Sequence, residues 1–218
     1  LIGSGKTTLA SQIFGLSPNS KVEMTLNGNA YKPKSPKDAI AAGVFMCPKD
    51  RASNAVISEF DISNNLAIPF FKKHSSMSFL RSKSLTQNAK NSIDELGIVC
   101  QSEMDSVTTL SGGNQQKVMV GRWLAEESFV LLLDEPFQGV DIKARRDIGL
   151  QIRSTSGKRA TLIFVAELDE ALEIADRVIV LHEGNLVGEY QNKSKNIPEI
   201  ISSFSGSTYK QDSPNYGT

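Results

Sequence analysis

The sequence predicts an α/β domain built on a mostly parallel sheet, with a helical segment inserted into it. Three observations carry that expectation. Phe129-Val130-Leu131-Leu132-Leu133 is an unbroken apolar run, the pattern of a strand buried on both faces of a parallel sheet, and Val44 to Cys47 and Thr161 to Val165 repeat it more briefly. Glycine- and serine-bearing turns open onto helix-prone stretches at Gly3 to Thr8 and at Ser111 to Gly113. From about Ile57 to Glu103 strand formers thin out and polar, helix-like segments take over, among them Asp61 to Ile68 and Thr86 to Leu96.

Taken in order, the chain starts with Gly3-Ser4-Gly5-Lys6-Thr7-Thr8, the second half of the phosphate-loop pattern G-x-x-x-x-G-K-[ST]; the first glycine of that pattern would stand one position before Leu1. Glycines let backbone amides curl around phosphate oxygens, Lys6 adds a point charge, and the Thr7 hydroxyl is placed to serve Mg²⁺. Thr8 to Phe14 reads as the helix that follows. Lys21 to Leu26 alternates polar and apolar residues and runs into Asn27-Gly28, a strong hairpin signal. Ser35-Pro36-Lys37-Asp38 has the serine cap, first-turn proline and acid of a helix start, with Gly43 as its stop. After the strand Val44 to Cys47, the segment Pro48-Lys49-Asp50-Arg51 falls at the C-terminal end, where α/β sheets present functional groups. His74, in the polar connector Lys72 to Ser76, reads as a solvated loop residue.

Leu110-Ser111-Gly112-Gly113-Asn114-Gln115-Gln116-Lys117 precedes a helix-prone run from Val118 to Glu126. A helix N-terminus carries roughly half a positive charge and unpaired N–H donors, which suits it to an anion. An ordinary serine-capped helix accounts for this stretch as well, so its meaning depends on its neighbours. Asp134-Glu135 ends the apolar run, and two acids there are costly to bury without a purpose. One can hold Mg²⁺ while the next orients or deprotonates an attacking water. Gly139-Val140-Asp141 leads into a helix from Ile142 to Arg153, and Glu167 opens another that runs to about Ala175. Val178 to Leu181 and Leu186 to Tyr190 flank the turn His182-Glu183-Gly184-Asn185, where His182 reads as structural or solvated. Beyond Ile197 to Phe204, the tail 205–218 has a disordered composition.

Composition narrows the function. The 218 residues hold 24 basic and 24 acidic side chains, a balance that argues against a chain whose main business is wrapping nucleic acid. Two distant cysteines, Cys47 and Cys100, read as buried thiols of a reducing compartment rather than as a disulfide or zinc framework. No apolar run approaches the ~20 residues of a spanning helix, so a membrane role is expected to come through a partner. The start at Leu1 reads neither as a signal peptide nor as a natural start, and a fragment of a longer protein is expected.

The order phosphate loop, helical insert, LSGG at a helix start, apolar strand ending in Asp-Glu, then a short Asp-containing loop resembles the ATP-binding cassette (ABC) ATPases, a branch of the P-loop NTPases. The likeness runs from Leu1 to about Tyr190. LSGGNQQKVMVGRWLA, Pro48 to Arg51 and GVDIKAR are similar to the second cassette of tandem ATPases in bacterial importers of ribose, galactose, xylose and related sugars. The resemblance implies a nucleotide-binding domain over 1–204 with a helical subdomain at about 57–125. It implies ATP at Gly3, Ser4, Gly5, Lys6, Thr7 and Thr8, Mg²⁺ at Thr7 and Asp134, and Glu135 as the catalytic carboxylate with Lys6 assisting. Ser111, Gly112, Gly113 and Gln115 would serve the ATP of an opposed cassette, and Asp141 would be the interface-loop aspartate. The implied partners are a second cassette, expected in the same polypeptide, membrane permease subunits and, indirectly, a periplasmic solute-binding protein, at the cytoplasmic face of the inner membrane. A soluble ATPase acting on ribosomes or DNA is the competing class, and the neutral charge weighs against it.

Two positions depart from the family pattern. Lys49 stands where glutamine or glutamate is usual, and Ala166 where a switch histidine, or serine in second sugar cassettes, is usual. Neither replacement can do what it replaces, because an ammonium cannot ligate Mg²⁺ and a methyl group cannot relay a proton. Slow turnover in a cassette that still binds ATP is therefore expected.

Overall fold

Leu131, Leu132 and Leu133 are all fully buried, and their strand, Val130–Asp134, is the middle of a three-stranded sheet. The computed structural model describes residues 4–17, 22–50, 56–73, 75–76, 79–80, 82–157 and 159–204. On one side of the central strand lies Val44–Cys47, with Val44 opposite Val130 and Cys47 opposite Leu133. On the other lies Ala160–Phe164, with Phe164 opposite Asp134. Both pairings are parallel, as the unbroken apolar run predicts. Parallel strands end at one edge, so the loops after Cys47 and Asp134 leave the sheet together.

The connections follow from their caps. Helix Pro36–Ala41 starts on Ser35, whose Oγ accepts the Asp38 N–H at 3.3 Å. It is followed by Gly43 at φ +76°, where a Cβ would also meet the Phe129 ring at 2.8 Å. Conformation and space both demand glycine there. Helix Ile142–Ser154 starts on Asp141, whose Oδ1 accepts the Ala144 N–H at 2.7 Å.

Helices Ile62–Ala67, Ser82–Leu96 and Gly112–Leu124 contribute to a separate core containing Ile62, Leu66, Ala89, Leu96, Val107 and Val118. At Gly121 the packing is tight, and a Cβ would stand 2.6 Å from Leu96 Cδ1. Asn65, fully buried, ties this region together. Its Nδ2 donates to the carbonyls of Ile57 (3.0 Å), Phe60 (3.1 Å) and Asp61 (3.0 Å), while its Oδ1 accepts the Ile57 N–H (2.9 Å).

Several expected boundaries move. The stretch from Ile57 to Glu103 is not wholly helical: Ser75–Ser76 pairs antiparallel with Phe79–Leu80. The helix expected from Thr86 begins at Ser82, and the one expected from Val118 begins at Gly112, because the Ser111 cap starts it on the glycines themselves. The first helix is Lys6–Ile13. The strand expected over Lys21 to Leu26 is only Thr25–Leu26, paired with Asn29–Ala30 across Asn27 (φ 50°) and Gly28 (φ 79°). Pro33, lacking an N–H, follows closely on its partner strand. Lys21, Arg51, His74, Gly3 and the tail 205–218 lie outside the described residues.

By its contacts the chain divides into two compact units, Thr7–Phe164, which holds everything above except the first residue of the first helix, and Leu1–Lys6 with Val165–Thr218. The second unit is built on the antiparallel pair Arg177–His182 and Asn185–Gln191, with Val178, Val180 and Ile200 buried against Leu168, Leu172, Val187 and Tyr190. Asn192 Nδ2 closes it onto helix Leu168–Ile174 through the carbonyls of Leu172 (2.8 Å) and Ala175 (2.7 Å). No helix among the described residues is long and apolar enough to cross a membrane.

Candidate functional site

In the smaller unit, Ser4 is 3 % exposed and its carbonyl accepts the Gly184 N–H at 3.1 Å. Gly5 sits at φ +90°, and a Cβ there would come within 3.4 Å of Gly184 Cα. The turn after His182 thus braces the loop, and His182 itself lies beside that turn on an exposed strand end. Lys6 Nζ donates to the Val165 carbonyl at 2.5 Å. Ala166, the next residue, is half-buried.

In the larger unit, an open cleft of about 960 Å³ lies at the C-terminal edge of the sheet. Thr7, Lys49, Asp50, Asp134, Gln138 and Gly139 line it, with Gln116, Arg122 and Trp123 of helix Gly112–Leu124. The cleft therefore joins three residues that the sequence singled out separately: Thr7, Lys49 and Asp134. A hydroxyl and a carboxylate are hard oxygen donors, and Mg²⁺ typically takes one or two carboxylates and completes its shell with water and phosphate oxygens. Thr7 and Asp134 fit that mode. Glu135 adjoins Asp134 in sequence but does not line the cleft; it is 8 % exposed and lies at φ +51°, with its N–H donating to the Phe164 carbonyl at 2.8 Å. Holding a non-glycine residue in this left-handed region costs about 1–3 kcal/mol, a strain of the kind found at working positions.

Behind Asp134, which is 1 % exposed, Cys47 is fully buried. Burial pushes its thiol up to about 12; the Arg122 guanidinium pulls it down and the Asp134 carboxylate pushes it further up. Burial lowers Arg122 to about 10, the Cys47 charge opposing that shift. Arg122 Nε donates to the Asn65 carbonyl at 2.6 Å, so the cleft wall is fastened to the helical region through Asn65. Cys100, by contrast, is half-buried, short of the expected full burial.

Ser111 is exposed and caps the helix of the LSGG stretch, its Oγ accepting the Asn114 backbone N–H at 3.4 Å and also Asn114 Nδ2 at 3.0 Å. Gly112 and Gly113 form the first turn of that helix. A Cβ on Gly113 would lie 3.1 Å from Ala144 Cβ and 4.0 Å from Asp141 Oδ2, so the structure brings Asp141 beside this motif and a side chain there would need Ala144 to shift by a few tenths of an ångström. Gln115 Nε2 donates to the carbonyls of Val107 (3.3 Å) and Leu110 (3.2 Å), fixing the loop before the motif. The cleft-lining Gln116, Arg122 and Trp123 were not singled out from sequence. Gln116 and Trp123 stand seven apart on one helix, two turns, and that spacing was the available signal.

The family model described as ABC transporter matches residues 2–138. The chain belongs to the ABC transporter family. Similar proteins within this family include the ribose import ATP-binding protein RbsA 2 of Rubrobacter xylanophilus, 35 % identical over 94 % of this chain and 40 % of that protein. The galactose/methyl galactoside import ATP-binding protein MglA of Fusobacterium nucleatum is 34 % identical over 92 % of this chain and 41 % of that protein. The chain thus spans about 40 % of the length of these curated relatives. Among solved structures, a nucleotide-free ATP-binding cassette from an ABC transporter superposes with a TM-score of 0.77 at 20 % identity, over 93 % of this chain and 81 % of that one. A dimeric ATP-binding cassette bound to ADP and Pi in a post-hydrolysis state gives 0.73 at 19 % identity, over 88 % and 82 %. The fold is that of an ABC ATPase cassette, the P-loop α/β architecture expected from the sequence.

Proposed function

We propose that this chain binds and hydrolyses ATP as a nucleotide-binding domain that powers import of a simple sugar or related solute through a membrane permease. The observation that carries the reading is the cleft shared by Thr7 and Asp134 at the C-terminal sheet edge, Thr7 being next in sequence to Lys6. Gly3 to Thr8 hold the phosphates, with Lys6 as the charge and helix Lys6–Ile13 pointing its N-terminus at them. Thr7 and Asp134 hold Mg²⁺, which supplies charge neutralisation on the phosphate oxygens when bound. Glu135 orients the attacking water and accepts its proton on a carboxylate oxygen. The region 57–125 forms the helical subdomain of this domain, a reading supported by its separate core.

Ser111, Gly112, Gly113 and Gln115 act on the nucleotide of a second cassette, with Asp141 alongside at the interface. Their support is the exposed cap of Ser111 and the passage of Asp141 beside Gly113. The second cassette belongs to the same polypeptide, of which this chain is the C-terminal cassette, at the cytoplasmic face of the inner membrane with the permease and a periplasmic binding protein. Lys49 and Ala166 favour a second reading, in which this half mainly binds ATP and supports a competent partner. Ser111→Arg tests the shared-site arrangement in the assembled pair. Turnover is expected to fall at least ~10-fold while ATP affinity of this chain, by fluorescence titration, changes less than about twofold. Unchanged turnover contradicts the arrangement.

A further inference from the structure

Lys49 follows the strand Val44–Cys47 by two residues, and Cys47 is paired with Leu133, the neighbour of Asp134. The loop therefore carries Lys49 off the same sheet edge, and Lys49 lines the same cleft as Thr7 and Asp134. Its side chain is exposed, and among the described residues no carboxylate lies within ion-pair distance of it. The other cationic group of the cleft, Arg122, is 5 % exposed and held by Asn65, so it is a fixed part of the wall. Lys49, a point charge with three donors on a flexible stem, is the one able to reach a ligand.

The charge of the cleft points the same way. The lining holds two cations, Lys49 and Arg122, and two carboxylates, Asp50 and Asp134, so its charge is balanced. With a neutral or acidic residue at 49, carboxylates would outnumber cations in this lining, and a polyphosphate would enter less readily without a divalent cation to offset them. An ammonium has no acceptor with which to ligate Mg²⁺, but it forms strong charge-assisted hydrogen bonds to phosphate oxygens. We infer that Lys49 contacts the terminal phosphates of ATP and takes over part of the charge neutralisation otherwise left to Mg²⁺, so that this chain binds ATP with little dependence on the metal. The inference rests on the ATP reading above.

Titrating the whole chain with a methylanthraniloyl-labelled ATP, in Mg²⁺ and in EDTA, tests it by binding alone. Wild type and Lys49→Arg are expected to bind in EDTA within about fivefold of their affinity in Mg²⁺. Lys49→Gln and Lys49→Glu are expected to lose about tenfold or more in EDTA and less than about threefold in Mg²⁺. Equal affinities of Lys49→Gln and wild type in EDTA overturn the role of Lys49, as does an equal loss in both conditions. Lys6→Ala separates the two readings. If it abolishes binding while Lys49→Gln matches wild type, the ATP site stands and Lys49 has no part in it. If wild type binds in neither condition, both readings fall.

Discussion

Glu135→Gln is expected to leave ATP bound and to lower its turnover by ~10²–10⁴-fold, the range for loss of a group that moves a proton in the transition state. The amide keeps the size of the side chain and its place after the central strand. The backbone N–H that donates to the Phe164 carbonyl at 2.8 Å is untouched, so the left-handed turn at φ +51° should persist. What is lost is the carboxylate oxygen that the proposed role needs to take the proton of water. Phosphate release measured on the assembled protein, beside nucleotide titration of the same variant, separates the two effects. A drop in rate with affinity held within about threefold supports hydrolysis at this position. A change of less than twofold in rate favours the second reading, a cassette that binds ATP for a partner's benefit.

Asn65→Ala is expected to destabilise the fold by about 2–4 kcal/mol, because it removes several buried hydrogen bonds and leaves carbonyl groups short of donors. The three carbonyls of Ile57, Phe60 and Asp61 lose their shared donor, and the Ile57 N–H loses its acceptor. Arg122 keeps its bond to the residue-65 carbonyl but loses the side-chain contact at 3.4 Å. Urea denaturation followed by circular dichroism measures the change. A shift under about 0.5 kcal/mol contradicts the view that Asn65 fastens the helical region to the cleft wall.

The contrast between these two residues shows what a sequence can disclose. The parallel sheet was legible because Val130 to Leu133 is apolar on both faces, and Glu135 because an acid at the end of such a strand is costly to bury. Ser35 announced its helix through local cap chemistry, whereas the helix after Ser111 was expected from Val118 and starts at Gly112. Asn65 announced nothing: an asparagine in a polar helix is ordinary, and its partners reach from Ile57 to Arg122, a long-range arrangement that no local pattern encodes. The pairing of Ser75–Ser76 with Phe79–Leu80 escaped for a related reason, since strands of 2 residues are too short to show a period. The bonds of Gln115 Nε2 to the carbonyls of Val107 and Leu110 likewise needed the fold. Lys49 was legible as a departure, but its place in one cleft with Thr7 and Asp134 needed the fold.

ATP is proposed to bind through the loop that contains Lys6 and Thr7. Calorimetric titration of the chain with ATP and Mg²⁺, compared with the Lys6→Ala variant, tests it most directly. The expected result is saturable binding at one site per chain that weakens by about tenfold or more in the variant, as removal of a charge-assisted contact to phosphate requires. Equal affinities of the two proteins, or no binding by the wild type, would contradict it.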